Sequence, residues 1–159
     1  KNDTTRNMIA ETTYNLGGWD ISKIYPNKIY EYERGTTVYS GRPTTWTGKI
    51  ALAYPSDYGY AEDLSKCAVT LDSYNASTCT SNNWMEAILV FSSDGGWLLT
   101  PHSSSSRNAW YVSSTGYVNC GNSAYVLNGV VPVLSLSSEL GIESGSGDGS
   151  SSKPYKLSA

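Results

Sequence analysis

The sequence contains few of the residues on which enzymes and nucleic-acid-binding proteins depend. Its 159 residues include one histidine, three cysteines and one phenylalanine, and only 16% are charged. The net charge is −3 at pH 7. Because phosphate binding requires a concentrated basic surface, this balance argues against binding to nucleic acid. It argues equally against electrostatic attachment to an anionic membrane.

Long apolar runs are also missing. No stretch approaches the roughly 20 consecutive apolar residues of a transmembrane helix, so we expect no direct insertion of these residues into a membrane. No segment is typical of a signal peptide either. The length predicts one domain over 1–159, which is large enough to bury a core of its own.

Motifs of catalytic and metal sites are absent as well. A hydrolase needs a nucleophile and a base, and the only histidine, His102, stands beside the serine run 103–106. Sequence neighbours rarely form a triad, however, and there is no G-x-S-x-G motif. One histidine without C-x-x-C disfavours a transition-metal site, and no acidic run matches a calcium-binding loop. We therefore predict a protein that is not an enzyme and holds no metal or other cofactor.

Two of the three cysteines, Cys67 and Cys79, bracket a short polar segment. A disulfide closing this loop would contribute roughly 3 kcal/mol in the chain-entropy model. The alternative is two unrelated thiols. The Tyr-, Ser- and Asn-rich, Lys-poor composition suits an extracellular setting and therefore favours the disulfide. Cys120 would then be unpaired.

The N-terminal half carries mixed signals of secondary structure. Residues 4–16 predict one short helix that Gly17-Gly18 ends. Residues 27–35 fit either a helical turn or a strand, because the helical and the strand periods of hydrophobicity conflict there. Residues 50–54 predict a buried strand that enters a turn, and residues 82–90 fit a short helix.

From residue 96 onward the pattern favours β-structure. A flexible Gly/Ser loop is predicted over 144–154, followed by a last edge strand. The predicted fold class is thus α+β, with short antiparallel strands, one or two short helices and much irregular loop. The other strand candidates are residues 97–99, 109–112, 116–118 and 130–136.

The tryptophans and the polar residues between the strands have different expected roles. Since tryptophan buries a large apolar area, we expect Trp46 and Trp97 in the core and leave Trp110 open. Residues 102–128 are instead rich in Tyr, Ser, Gly and Asn, as antibody-like binding loops are. The alternative is ordinary loops on a β-rich domain. The predicted ligand-binding residues are His102, Ser104, Ser106, Asn108, Trp110, Ser113, Tyr117, Asn119, Cys120, Asn122, Tyr125 and Asn128.

A succession of motifs resembles an uncharacterised domain family of bacterial surface proteins, many of them pilin-like. In order, the segments that carry the resemblance are TTWTGKIALAYPSDYGYA, the cysteine pair followed by NNW, WLLTP, AWYVSSTGYV, GVVPVL and SGSGDGSSSKPY. The resemblance covers most of the chain. It implies a prepilin helix ahead of the domain, so we expect that such an anchor segment is missing from these 159 residues.

The C-terminal half of this family is similar to C-type-lectin-like and formylglycine-generating-enzyme-like folds. Their G-[VF]-R-P-[VA]-L motif reads GVVPVL here, with Val131 in place of the arginine. The calcium-and-sugar motifs of true lectins are absent, and Cys120 has no obvious partner of the kind found in the oxidase-like relatives. The resemblance therefore implies the scaffold and not calcium-dependent sugar binding.

Such domains are also the scaffold that diversity-generating retroelements vary. The products of mutating template adenines include Asn, Ser, Tyr, His, Asp, Gly and Cys codons, and all of these residue types except Asp occur between Pro101 and Gly129. Fixed apolar residues, Trp110, Val112 and Val118 among them, would hold the frame. Cys120 would then be one product of a diversified codon.

These observations predict an adhesion domain displayed on a bacterial surface or pilus, outside the cell. Its partner would be an unknown protein or glycan on a host or neighbouring cell, with other pilus subunits as further partners. The alternatives are a structural pilin subunit and the receptor-binding protein of a phage tail. An enzyme of the formylglycine-generating type would need a redox cysteine pair or a metal site.

Overall fold

Short helices and short antiparallel strands alternate along the chain, as the α+β prediction requires. The structure is a computed structural model that describes residues 3–20, 23–89, 95–120 and 127–158. Its helices are α1 Asp3–Asn7, α2 Pro26–Glu33, α3 Pro55–Tyr60, α4 Ser77–Thr80 and α5 Glu86–Leu89, with a 3-10 turn at Leu71–Ser73. Its strands are β1 Thr12–Asn15, β2 Thr45–Gly48, β3 Ala51–Leu52, β4 Gly96–Pro101, β5 Ala109–Val112, β6 Val118–Asn119, β7 Pro132–Val133, β8 Gly141–Ile142 and β9 Leu157–Ser158.

The single helix predicted over 4–16 is wrong. Helix α1 ends at Asn7, and β1 pairs antiparallel with β2, from Thr12 opposite Gly48 to Asn15 opposite Thr45. The β-branched and aromatic residues of β1 have strand preference. A partner strand some thirty residues later therefore overrides the helical signal.

Two helices begin at prolines. Pro26 and Pro55 each occupy the first turn of their helix, where the missing N–H costs nothing and the ring fixes a helical φ. The ambiguous segment 27–35 is thus helical. The segment after the strand predicted at 50–54 forms α3 rather than a simple turn.

The central sheet has the order β4-β5-β6, and all its pairs are antiparallel. Strand β5 has the predicted bounds. Alternate residues of β4 are buried on one side, namely Gly96, Leu98 and Thr100. Three two-stranded sheets lie outside this sheet, namely β1 with β2, β3 with β7 and β8 with β9.

The predicted disulfide is present between Cys67 and Cys79, and both cysteines are buried. It links the segment before the 3-10 turn to α4. The core around this disulfide is built from helices and strands between residues 19 and 118. Its largest fully buried side chains include Trp110, Tyr58, Tyr74, Ile29, Leu71 and Leu89.

The expected positions of the tryptophans need correction. Trp46 is 44% exposed, because it stacks on Tyr14 of the neighbouring strand at 5.6 Å and not on the core. Trp97 is half-buried, with its ring edge-on to Tyr111. Trp110 is the one of these three that lies in the core. None of the helices in the described ranges is long and apolar enough to cross a membrane.

Candidate ligand-binding face

Trp110 supports the candidate face from beneath. Its side chain is only 2% exposed, and its ring stacks on Trp19, with the ring centroids 4.1 Å apart, and on His102 at 5.9 Å. The prediction that Trp110 contacts a ligand is therefore wrong, because the neighbouring rings cover it. The buried Trp110 ring thus supports the His102 ring from the core side.

His102 is held at the surface by its ring and its backbone. Its N–H donates to the Asn108 carbonyl at 3.2 Å, and its Nδ1 accepts the Ser104 N–H at 3.2 Å. Burial lowers the pKa of His102, although the charge of Asp20 acts in the opposite direction. The ring is therefore neutral at pH 7 and carries its proton on Nε2.

The structure does bring a serine hydroxyl to this histidine. Ser104 Oγ lies 3.3 Å from His102 Nδ1. The same nitrogen already accepts the Ser104 backbone N–H, so its lone pair is shared rather than directed at the hydroxyl alone. This geometry closes a tight turn at residues 102–104.

The serine run forms a loop that is fixed at its base. Ser105 Oγ accepts the N–H groups of Arg107 and Asn108, and the Arg42 guanidinium donates to the Ser106 carbonyl at 2.6 Å. Ser104 and Ser106 are exposed. The loop therefore presents small hydroxyl groups on a backbone that is already ordered.

Asn108 and Cys120 tie this loop to the end of the sheet. Asn108 Nδ2 donates to the Cys120 carbonyl at 3.0 Å, and Asn119 Oδ1 accepts the Cys120 N–H at 2.7 Å. Burial raises the pKa of the half-buried Cys120 thiol, which disfavours the reactive thiolate. Both asparagines thus have structural bonds that the sequence did not predict.

Two predicted site residues, Ser113 and Tyr117, lie at the opposite end of β5. Ser113 is only 7% exposed, and its Oγ accepts the Thr115 N–H in the turn between β5 and β6. Gly116 adopts φ +93° there, a conformation that favours glycine. Ser113 is therefore a buried turn residue and not a ligand contact, which corrects the prediction, while Tyr117 is half-buried.

The structure thus divides the predicted set into two groups. We name His102, Ser104, Ser106, Asn108 and Cys120 the serine-loop face. The turn with Ser113 and Tyr117 is separated from the serine loop by the four residues of β5, roughly 14 Å at about 3.4 Å per residue. Asn128 is half-buried beside Gly129, which bonds to β4, and Asn122 and Tyr125 lie outside the described residues.

Sequence reasoning missed the residues that reach this face from the N-terminal half. Trp19 stacks under it, Asp20 acts electrostatically on His102 and Cys120, and Arg42 anchors the loop. Arg42 is 64 residues from its partner Ser106, and no local pattern marks such a contact. Long-range packing alone brings these groups together.

No group of three or more His, Cys, Asp or Glu side chains that could hold a metal ion occurs within the described ranges. Comparisons with protein-family models, with curated proteins and with solved structures find no match for this chain. The fold and the site define it as a disulfide-containing α+β domain with an ordered polar loop at one end of its central sheet.

Proposed function

We propose that this chain is a non-enzymatic ligand-binding domain for adhesion, built on a C-type-lectin-like scaffold, and that the serine-loop face forms part of its binding surface. One observation carries the proposal. The exposed hydroxyl groups of Ser104 and Ser106 stand on a loop that ring stacking and an arginine hold in place. A preordered polar loop loses little entropy on binding. Loops on a rigid scaffold are where binding commonly resides.

The proposed location is outside the cell, on a bacterial surface or pilus. The disulfide is compatible with it, since such bonds persist in oxidising compartments. Display in many copies on a filament would raise the avidity of a face that binds weakly on its own. The partner would be a protein or glycan on a host or neighbouring cell.

Diversification by a retroelement is a further part of this proposal. The exposed positions Ser104 and Ser106 tolerate other side chains, whereas Trp110 and Ser113 are buried and would have to stay constant. A comparison of the gene with a nearby near-identical template repeat tests this idea. Differences confined to template adenines support it, and the absence of any template repeat and reverse transcriptase contradicts it.

The binding proposal is tested with bulky charged substitutions on the face. The probe is an array of defined glycans together with intact host cells, to which the tagged, multimerised domain is applied. We expect the double variant Ser104→Arg/Ser106→Arg to lose binding while its unfolding midpoint stays unchanged. The matched control is Ser138→Arg/Ser151→Arg, at two exposed serines outside this face. Equal binding by wild type and both variants contradicts the proposal.

A structural pilin subunit is the second candidate, and one observation favours it. Several large apolar side chains of the C-terminal part are exposed, which is the kind of surface that packs against other subunits. Sedimentation velocity over a range of concentrations tests for such assembly, with Ile142→Ser as the variant that should weaken it. The exposed residues are Leu127, Val130, Leu134, Leu136, Ile142, Tyr155 and Leu157.

A further inference from the structure

The loop that the disulfide closes carries an N-x-S/T triplet, Asn75-Ala76-Ser77, with alanine at its middle position. Such a triplet is the acceptor signal for N-linked glycosylation when its middle residue is not proline and it lies at the surface of an exported protein. The same signal begins at Asn2, which lies outside the described residues. Whether Asn75 is open to modification depends on its context in the fold.

Asn75 lies on a segment that is held at the surface between two anchored residues. Tyr74 is fully buried, and its hydroxyl donates to the Gly59 carbonyl at 3.1 Å. Cys79 is buried as well and is held by the disulfide. All four residues between these anchors, 75–78, are exposed. The core contacts on both sides therefore present the triplet to solvent.

The side chains of the triplet are available for reaction. In the described part of the chain, neither the Asn75 amide nor the Ser77 hydroxyl has a hydrogen-bond partner. Two asparagines that follow differ from Asn75, because the Asn82 amide donates to a backbone carbonyl at 2.9 Å and the Asn83 amide donates to another at 2.8 Å. Reaction at Asn75 thus breaks no hydrogen bond on which the described fold depends.

The backbone around the triplet has little regular structure. The 3-10 turn ends at Ser73, and α4 begins at Ser77 and has only four residues. Ala76 between them is extended, with φ −62° and ψ 139°. A helix of this length has little stability of its own, so its first turn opens at small cost. The triplet can therefore enter an enzyme's active site in an extended conformation even after the disulfide has formed.

The triplet also lies away from the serine-loop face. The carbonyl oxygen of Tyr74 is 3.6 Å from the position that a Cβ atom on Gly116 would occupy. Gly116 belongs to the turn between β5 and β6, at the other end of β5 from the serine loop. A group attached to Asn75 would consequently leave the serine-loop face uncovered.

We infer that Asn75 is the acceptor of an N-linked oligosaccharide, which an oligosaccharyltransferase delivers from a lipid-pyrophosphate donor. This inference rests on the proposed function, because the modification requires that the chain is exported. In the transfer, the Asn75 amide nitrogen forms a bond to the anomeric carbon of the first sugar, while the bond from that carbon to the pyrophosphate oxygen breaks. The lipid pyrophosphate leaves with the electron pair of the broken bond, and one amide proton passes to a base of the transferase. The Ser77 hydroxyl is the group by which the transferase recognises the triplet.

The test is peptide mapping of the protein from the cells that produce it, with the surface and interior fractions analysed separately. Trypsin cleaves after Lys66 and Arg107, so the reduced peptide 67–107 contains Asn75 and lacks Asn2. We expect this peptide from the surface fraction to carry an added sugar mass. Fragmentation that leaves the sugar attached should locate the mass on Asn75. An unmodified peptide overturns the inference, and so does a peptide whose sugar is carried only by serine or threonine.

Variants produced in the same cells test the recognition signal. Asn75→Gln and Ser77→Ala should each lose the added mass, whereas Ser77→Thr, which restores a hydroxyl, should keep it. The matched control is Thr78→Ala, at an exposed hydroxyl just outside the triplet, and it should also keep the mass. Substitutions at these exposed positions leave the fold intact, which circular dichroism checks. If Ser77→Ala keeps the sugar on Asn75, the triplet is not the signal and the inference fails.

The two proposals can fail separately. Surface-displayed protein without sugar on Asn75 overturns this inference alone. Sugar on Asn75, together with unchanged ligand binding by Ser104→Arg/Ser106→Arg, overturns only the role of the serine-loop face. Protein that is found only inside the cell and is unmodified overturns both.

Discussion

The middle of the chain and its C-terminal segment, residues 134–158, are organised in opposite ways. In the middle, helices, the disulfide and the central sheet bury Trp110, Tyr58 and Leu71 almost completely. In the C-terminal segment, strands β8 and β9 have two residues each, and Ile142 and Leu157 face solvent from paired positions. An isolated two-stranded hairpin is marginally stable at best in water. The free energy of folding must therefore come almost entirely from the middle.

The hydrogen bonds of the C-terminal segment explain why its hairpin depends so little on the middle of the chain. Residues 135–137 bond to residues 8–10, through Ala10 N–H to the Ser135 carbonyl and Ser137 N–H to the Met8 carbonyl. The hydrogen bonds of the β8–β9 hairpin join its own residues to one another, as in Glu143 N–H to the Lys156 carbonyl. Local opening of the hairpin consequently costs far less than global unfolding.

Removal of the central indole should have the largest effect. We expect Trp110→Ala to lower the free energy of unfolding by about 3–5 kcal/mol, the usual cost of deleting a buried aromatic side chain. Urea denaturation followed by far-UV circular dichroism measures it. The matched control is Trp84→Ala, at a side chain that is 66% exposed, with an expected change within about 0.5 kcal/mol. Similar losses in both variants would show that Trp110 is not central to the core.

Opening the disulfide should have the next largest effect. We expect Cys67→Ser/Cys79→Ser to lower the free energy of unfolding by roughly 3 kcal/mol, since the two cysteines are 12 residues apart and their bond closes a short loop of the unfolded chain. Denaturation with and without reductant gives the same comparison on the wild type. Cys120→Ser is the control and should show an unchanged response to reductant. A double variant as stable as wild type would refute the structural role of this bond.

The buried carboxyl that joins α2 to α3 should make stability depend on pH. Glu33 accepts hydrogen bonds from the N–H and hydroxyl of Ser56, but burial raises its pKa to about 7 from an ordinary 4.5. Because the pKa of Glu33 is higher in the folded than in the unfolded protein, protonated Glu33 stabilises the fold. This contribution to the free energy of unfolding is complete below pH 4.5 and is lost as pH rises to about 7. At about 1.4 kcal/mol per pH unit between these two pKa values, the loss is on the order of 3 kcal/mol.

Glu33→Gln isolates this contribution. We expect the difference in free energy of unfolding between wild type and variant to fall between pH 4.5 and pH 7. Urea denaturation at several pH values measures it. Glu31→Gln, at an exposed glutamate of the same helix, is the matched control and should change the free energy of unfolding by less than about 0.5 kcal/mol. A flat difference for Glu33→Gln would mean that Glu33 is ionised in the folded protein throughout this range.

The smallest effect is expected in the C-terminal hairpin. Ile142 is 61% exposed and Ile29 is 0% exposed, so the same substitution can be compared in both regions. We expect Ile142→Ala to change the free energy of unfolding by less than about 0.5 kcal/mol and Ile29→Ala to lower it by about 2–5 kcal/mol. Chemical denaturation of the two variants measures the contrast. A cost above about 1 kcal/mol for Ile142→Ala would indicate that a partner or another segment covers this residue.

Local sequence signals were sufficient where a segment's own residues decide its structure. The aromatic and β-branched residues of β5 predicted its bounds, and the polar, Lys-poor composition of the chain favoured the disulfide between Cys67 and Cys79. The helix predicted over 4–16 failed because β1 takes its conformation from β2, which no window around Thr12 contains. Trp46 of β2 was misplaced for the same reason, since its partner Tyr14 lies on β1, which is distant from Trp46 in the sequence.

The candidate site shows the same division. Residue types alone pointed to the exposed Ser104 and Ser106, but gave no sign that Ser113 is buried in the turn between β5 and β6. Residue types also could not show that the side-chain amide of Asn108 donates to the Cys120 carbonyl. Whether a polar residue faces a ligand or completes a turn depends on backbone groups that only the assembled fold brings close.

The parallel contact of Trp19 with Trp110 has an optical consequence. Two indoles whose planes differ by 16° at 4.1 Å have coupled electronic transitions. Where the transition dipoles of the two rings are not parallel, such coupling gives a pair of circular dichroism bands of opposite sign that vanish when the rings separate. Trp19 and Trp110 come from the two halves of the chain, so this signal reports their docking without any attached dye.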